Sequence, residues 1–68
     1  RKSVNVDYSK NVNVKVTMAG DLSPWTEITP HEFYLPQDEI KRVYFDVKVP
    51  RSAENGNYTG QAVFCFKE

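Results

Sequence analysis

Reactive and metal-binding residues are scarce in this chain of 68 residues. It has one cysteine, Cys65, and one histidine, His31. A disulfide within the chain is therefore excluded, and the usual zinc site has too few cysteine and histidine ligands. No nucleophile and base can be paired from this inventory. The sequence predicts a non-enzyme with no catalytic residue, no metal site and no cofactor.

Excess charge and long apolar runs are also lacking. Nine basic residues balance nine acidic ones, which argues against a nucleic-acid surface because such surfaces are strongly basic. No apolar run approaches the roughly 20 residues that span a bilayer, and no signal-peptide pattern is present. We expect no nucleic-acid partner and no membrane insertion. Residues 1–68 are expected to form one domain excised from a larger protein.

Apolar residues at every second position run through most of the chain and predict β-strands. The polar segment Ser9–Asn11 predicts a turn that joins the first two strands as an antiparallel hairpin. A single long bent strand is the alternative, but it would place Lys10 on the buried face. The predicted strands cover residues 3–8, 12–18, 25–28, 32–35, 40–49 and 58–66. Each predicted strand has one solvent-exposed face and one buried face, which indicates an all-β antiparallel sandwich of five to seven short strands.

Three landmarks late in the chain have structural interpretations. Tyr58 resembles a tyrosine corner, in which the hydroxyl bonds back to nearby backbone. Gly60 is expected to leave room for a large neighbour such as Trp25, which we place in the core. The predicted core comprises Val6, Val14, Val16, Trp25, Phe33, Leu35, Val43, Phe45, Val47, Tyr58 and Phe64.

These landmarks together carry a family resemblance that covers residues 12–66. After Trp25 come Pro-x-x-Phe-x-Leu-Pro over residues 30–36, Val-x-Phe-x-Val-x-Val-Pro over 43–50 and Gly-x-Tyr-x-Gly over 56–60. The order resembles the Ig-like modules found in tandem in bacterial and archaeal cell-surface and secreted proteins, and less closely the PapD-like group. The resemblance implies a further strand before the first one here. That strand is expected to be missing or supplied by a neighbour, which leaves an edge open to a partner strand.

Function is predicted by exclusion and by this resemblance. The leading prediction is a non-catalytic structural or protein-binding module of a larger exported or cell-surface protein, which pairs with neighbouring domains or subunits through its edge strand. One alternative is a carbohydrate-binding accessory module of a secreted enzyme, which would need a planar strip of exposed aromatic residues. The other alternative is a PapD-like adaptor that binds a peptide in the cytoplasm.

Four residues are candidates for contact or modification. Tyr34 and Tyr44 fall in the outward phase of their strands, and Arg42 shares the phase of Tyr44. If the two strands are neighbours, the three side chains form an aromatic and basic patch for protein contact. Asn57-Tyr58-Thr59 is an N-glycosylation sequon, so Asn57 is a candidate glycan acceptor.

The remaining polar residues have structural interpretations. His31 follows Pro30 and is expected to be a solvated turn residue. Asp38 and Glu39 are adjacent acids in a turn, and their side chains would point apart rather than flank a substrate. Cys65 is expected to be a small apolar strand residue.

Overall fold

The computed structural model describes all 68 residues, and six short strands form two three-stranded antiparallel sheets. The strands are β1 (Lys2–Val6), β2 (Val12–Gly20), β3 (Thr26–Thr29), β4 (Glu32–Leu35), β5 (Lys41–Val47) and β6 (Gly60–Lys67). The first sheet has the order β1-β5-β3 and the second the order β4-β2-β6. The predicted all-β antiparallel sandwich is confirmed.

The predicted hairpin between the first two strands is wrong. β1 pairs with β5, whereas β2 pairs with β4 and β6, so the chain crosses from one sheet to the other through Asp7–Asn11. The alternating pattern identifies which side chains face the core. It does not identify the neighbouring strand, and a polar connection serves a sheet crossing as well as a hairpin.

Several strand boundaries also differ from the sequence prediction. β5 ends at Val47, and Val49, which the pattern includes, is 54% exposed. β6 begins at Gly60 rather than at Tyr58. Trp25 ends a short 3₁₀ helix, Ser23–Trp25, and β3 starts only at the next residue. Pro24 suits this position because the first turn of a helix leaves its backbone amides without partners.

The core is formed by alternate residues of both sheets that point towards each other. Its buried members are Val6, Val12, Val14, Val16, Leu35, Val43 and Phe45. Val12 was not among the predicted core residues. Val47 was, but it is 44% exposed, and Trp25, Phe33, Tyr58 and Phe64 are only half-buried.

The molecule is long and thin, with extents of 43 × 18 × 15 Å. Its radius of gyration is 13.8 Å, whereas a compact domain of this length would have roughly 11 Å. The two sheets therefore form an elongated body rather than a compact one.

Candidate protein-binding site

The open side of the sandwich lies between β1 of one sheet and β6 of the other. Both are edge strands, because β1 pairs only with β5 and β6 pairs only with β2. A cavity of about 260 Å³ lies between Val4–Asp7 and the rings of Phe64 and Phe66. A second cavity of about 460 Å³ lies between the start of β1 and Gly60 and Ala62. Val4 lines both cavities, so the opening runs along most of β1.

Residues on the core-facing side of β1 and β6 are exposed along this opening. Opposed residues of an antiparallel pair share one face of the sheet. Val4 is opposite the fully buried Val43, and Phe66 is opposite the fully buried Val14. Val4 is nevertheless 44% exposed and Phe66 39%. These apolar side chains point into the sandwich but remain partly open to solvent, and only one face of the Phe66 ring is covered, by Tyr8.

The two open edges run in roughly the same direction. Val4 to Asp7 lie beside Phe64 and Phe66 in the first cavity, and Arg1 and Lys2 lie beside Gly60 and Ala62 in the second. Residue numbers therefore rise in the same direction along both edges. A strand that is antiparallel to one edge is also antiparallel to the other.

The four edge strands differ in how they are protected from pairing with other chains. β3 and β4 have only four residues each and contain Glu27 and Glu32. β6 has eight residues, with no proline and no charged side chain from Gly60 to Phe66. Short length, charge and proline are the usual devices that stop edge strands from pairing. The β6 edge has none of these devices.

Each end of the opening has its own side-chain arrangement. At the Asp7 end, Tyr8 stacks on Phe66 with ring centroids 4.8 Å apart and planes 10° apart. At the Arg1 end, the Arg1 guanidinium lies 4.4 Å from the centre of the Tyr44 ring. The Arg1 Nε also donates to Asp46 at 3.2 Å. The opening thus has basic residues at one end and an acid, Asp7, at the other.

The structure does not bring the three predicted contact residues together. Tyr34 lies on β4 and is 58% exposed, whereas Arg42 and Tyr44 lie on β5 in the other sheet. The strands are not neighbours, so the condition for a shared patch is not met. Arg42 and Tyr44 share a face of β5, where Arg42 donates to Asn5 at 3.3 Å and Arg1 covers the Tyr44 ring.

Trp25 and Tyr58 form an aromatic pair, and neither residue lines a cavity of the open side. Their ring centroids are 4.9 Å apart and their planes are at 75°. The Tyr58 hydroxyl donates to the backbone carbonyl of Glu54, as predicted for a tyrosine corner. A half-buried Trp25, with Tyr34 and Tyr44 on different sheets, weakens the carbohydrate-binding alternative.

The space beside Gly60 is filled by residues other than the predicted Trp25. A β-carbon at Gly60 would lie 3.0 Å from the Leu22 Cβ and 3.1 Å from the Met18 Sδ. Gly60 therefore allows β6 to approach the loop that follows β2, rather than making room for the tryptophan.

The other singled-out polar residues lie on the surface. Asn57 and His31 are exposed, and the His31 carbonyl accepts a hydrogen bond from the Val16 amide at 2.7 Å. The turn that contains Asp38 docks on the connection between β1 and β2, because the Asp38 amide donates to the Tyr8 carbonyl at 3.0 Å. Cys65 is free and exposed on the outer face of β6. No group of three or more His, Cys, Asp or Glu residues is arranged to hold a metal.

No family model, curated protein or solved structure matches this chain. The structure contains no helix with the length and apolar character that a bilayer crossing requires.

The sequence prediction located the β1 edge but missed β6 as a second open edge. The missed residues are Gly60, Ala62, Phe64 and Phe66, which the pattern identifies only as members of a half-buried strand. The uncharged run from Gly60 to Phe66 gives no signal by itself, because a strand with two partners could have the same sequence.

Proposed function

We propose that this chain is a non-catalytic protein-binding module whose binding site is the open side between β1 and β6. The observation that carries the proposal is the exposure of core-facing side chains, Val4 and Phe66 above all, beside two unpaired strand edges. An added strand can satisfy the edge amides and carbonyls while its side chains fill the apolar opening. Recognition would combine backbone pairing with shape.

We also propose that the module belongs to a larger protein that is exported or displayed on the cell surface. This proposal is supported by the resemblance to tandem Ig-like surface modules and by the exposure of Asn57 within a glycosylation sequon. In such a setting, the partner strand would come from a neighbouring domain or subunit. Tyr34, Arg42 and Tyr44 remain predicted contact residues, and none of them lines a cavity of the open side.

Selection from a displayed library of random peptides tests the binding site. We expect peptides enriched on the wild-type chain to alternate apolar and polar residues and to shift the amide NMR signals of β1 or β6. Val4→Lys places a charge in the opening and should abolish the enrichment. Ile40→Lys is the matched control, since Ile40 is 67% exposed and lines neither cavity. The proposal fails if the wild-type chain is monomeric in the selection and no peptide prefers it over Val4→Lys.

A further inference from the structure

We infer that the partner at the open side is a second copy of this chain, and that two copies meet face to face so that both sheets continue across the interface. The inference rests on the proposed function and identifies the partner. β1 would pair with β1 of the other copy, and β6 with β6. Each copy would then complete the core of the other.

The positions of the two edges make this arrangement geometrically consistent. A two-fold axis perpendicular to the strands reverses strand direction, so each edge meets its own copy in antiparallel orientation. Val4 of β1 lies at the same level as Ala62 to Phe64 of β6, so one axis through both sheets produces both pairings together. The result is two six-stranded sheets in place of four exposed edges.

Charge along β1 favours pairing with itself. The strand begins with Arg1 and Lys2 and is followed by Asp7. Antiparallel pairing centred on Val4 places Arg1 of one copy opposite Asp7 of the other, and the two-fold axis repeats the contact. Arg1 already bridges to Asp46 of its own chain, so its guanidinium would then lie between two carboxylates. Opposite charges across a strand pair are stabilising. Asp7 has no hydrogen bond or salt bridge through its side chain within the chain.

The side chains that this contact would cover are the apolar ones left exposed. Centring on Val4 brings the two Val4 side chains directly opposite each other. On β6, Phe64 and Ala62 lie on either side of the level of Val4, since each shares a cavity with it. The two β6 strands would therefore cross near Val63, between these two residues. Their uncharged run from Gly60 to Phe66 carries no charge to repel the second copy.

Sedimentation equilibrium on the 68-residue chain tests the inference, with charged variants at Val4. We expect wild type to be dimeric. Val4→Lys and Val4→Glu should each weaken the dimer by roughly tenfold or more, because like charges would be directly opposed. Mixing the two variants should restore dimers that contain one of each. Ile40→Lys should dimerise like wild type, and circular dichroism checks that every variant is folded.

A cysteine at the two-fold axis tests the register. In a Cys65→Ser background, Val4→Cys should form a disulfide between copies under mild oxidation, because directly opposed strand residues lie within disulfide distance. Ile40→Cys in the same background should remain reduced for much longer. Equal rates of cross-linking at the two positions would contradict the proposed contact.

The remaining outcomes separate this inference from the proposed function. If the wild type is monomeric but still selects peptides at the open side, the inference that the partner is a second copy is overturned and the proposed binding site stands. A dimer that is insensitive to charge at Val4 overturns the inference, because its contact lies elsewhere. A monomer that selects no peptide overturns both.

Discussion

The rings of Trp25 and Tyr58 meet edge to face with centroids 4.9 Å apart, and they join the 3₁₀ helix before β3 to the loop before β6. The Tyr58 hydroxyl also donates to the Glu54 carbonyl. The pair thereby fixes the loop between β5 and β6, within which the Ala53 amide also donates to the Pro50 carbonyl at 3.0 Å.

Tyr58→Phe should lower the free energy of unfolding by about 0.5 to 1.5 kcal/mol, because it removes this hydrogen bond and keeps the ring. Tyr58→Ala should cost roughly 0.5 to 1.5 kcal/mol more, since it also removes the aromatic pair. Urea denaturation measures both changes. Tyr34→Phe is the control and should remain within about 0.5 kcal/mol of wild type, because Tyr34 is exposed. Equal effects of Tyr34→Phe and Tyr58→Phe would contradict the role of the hydroxyl.

The three glycines should differ in their tolerance of alanine. Gly20 has φ +90°, and an added β-carbon would lie 2.9 Å from the Thr59 carbonyl oxygen. Gly20→Ala should therefore cost about 1 to 3 kcal/mol or more. Gly60→Ala should cost about 1 kcal/mol, because the Met18 sulfur can move although the Leu22 Cβ cannot. Gly56→Ala meets nothing within 4 Å and should be neutral or slightly stabilising. Thermal unfolding of the three variants tests this order.

The faces of the strands could be predicted from sequence, but the strand partners could not. The alternation correctly assigns Val14, Val16, Val43 and Phe45 to the core. A repeat of two residues shows only that a side chain faces inward, and it does not show to which sheet the strand belongs, because both sheets have an inward face. Pairing depends on contacts between segments that are distant in the chain, such as β2 with β6. For this reason the predicted hairpin is wrong although both of its strands exist.

The same limit explains the outcome for the candidate site. Tyr34 and Tyr44 are both outward in phase, but outward means opposite directions for β4 and β5, which lie in different sheets. The open β1 edge could be anticipated from the resemblance. The β6 edge could not, because its sequence reads as an ordinary half-buried strand. Only the sheet order shows that its second neighbour is absent.

Asp38 lies in a left-handed backbone conformation, with φ 62°. Asp38→Gly should be neutral or stabilising, whereas Asp38→Val should cost about 1 to 2 kcal/mol, because a β-branched residue is strained there. Urea denaturation distinguishes the two. Glu39→Val is the matched control in the same turn. Similar losses from Asp38→Val and Glu39→Val would show that the backbone conformation is not the cause.

Leu35 is the largest of the fully buried side chains, at 2% exposure. Leu35→Ala should cost about 2 to 5 kcal/mol through lost burial and the cavity left behind. A domain of this length has a total stability of roughly 3 to 10 kcal/mol, so the variant should lose a large part of its stability and unfold at a clearly lower temperature. Ile40→Ala should change stability by less than about 0.5 kcal/mol, because Ile40 is exposed. Circular dichroism before and after heating compares them.

Export of the parent protein predicts a glycan on Asn57, which is exposed at the end of the loop that precedes β6. Secretion of the chain from a eukaryotic host should add glycan mass to the wild type, because the acceptor requires a serine or threonine two residues later. Thr59→Ser keeps the sequon and should retain the mass, whereas Thr59→Ala removes it and should lose the mass. Asn57→Gln should behave like Thr59→Ala. The two Thr59 variants are a matched pair, because they differ by one small side chain at an exposed position. Intact-mass spectrometry measures all four proteins, and an unmodified wild type would show that the sequon is a chance match.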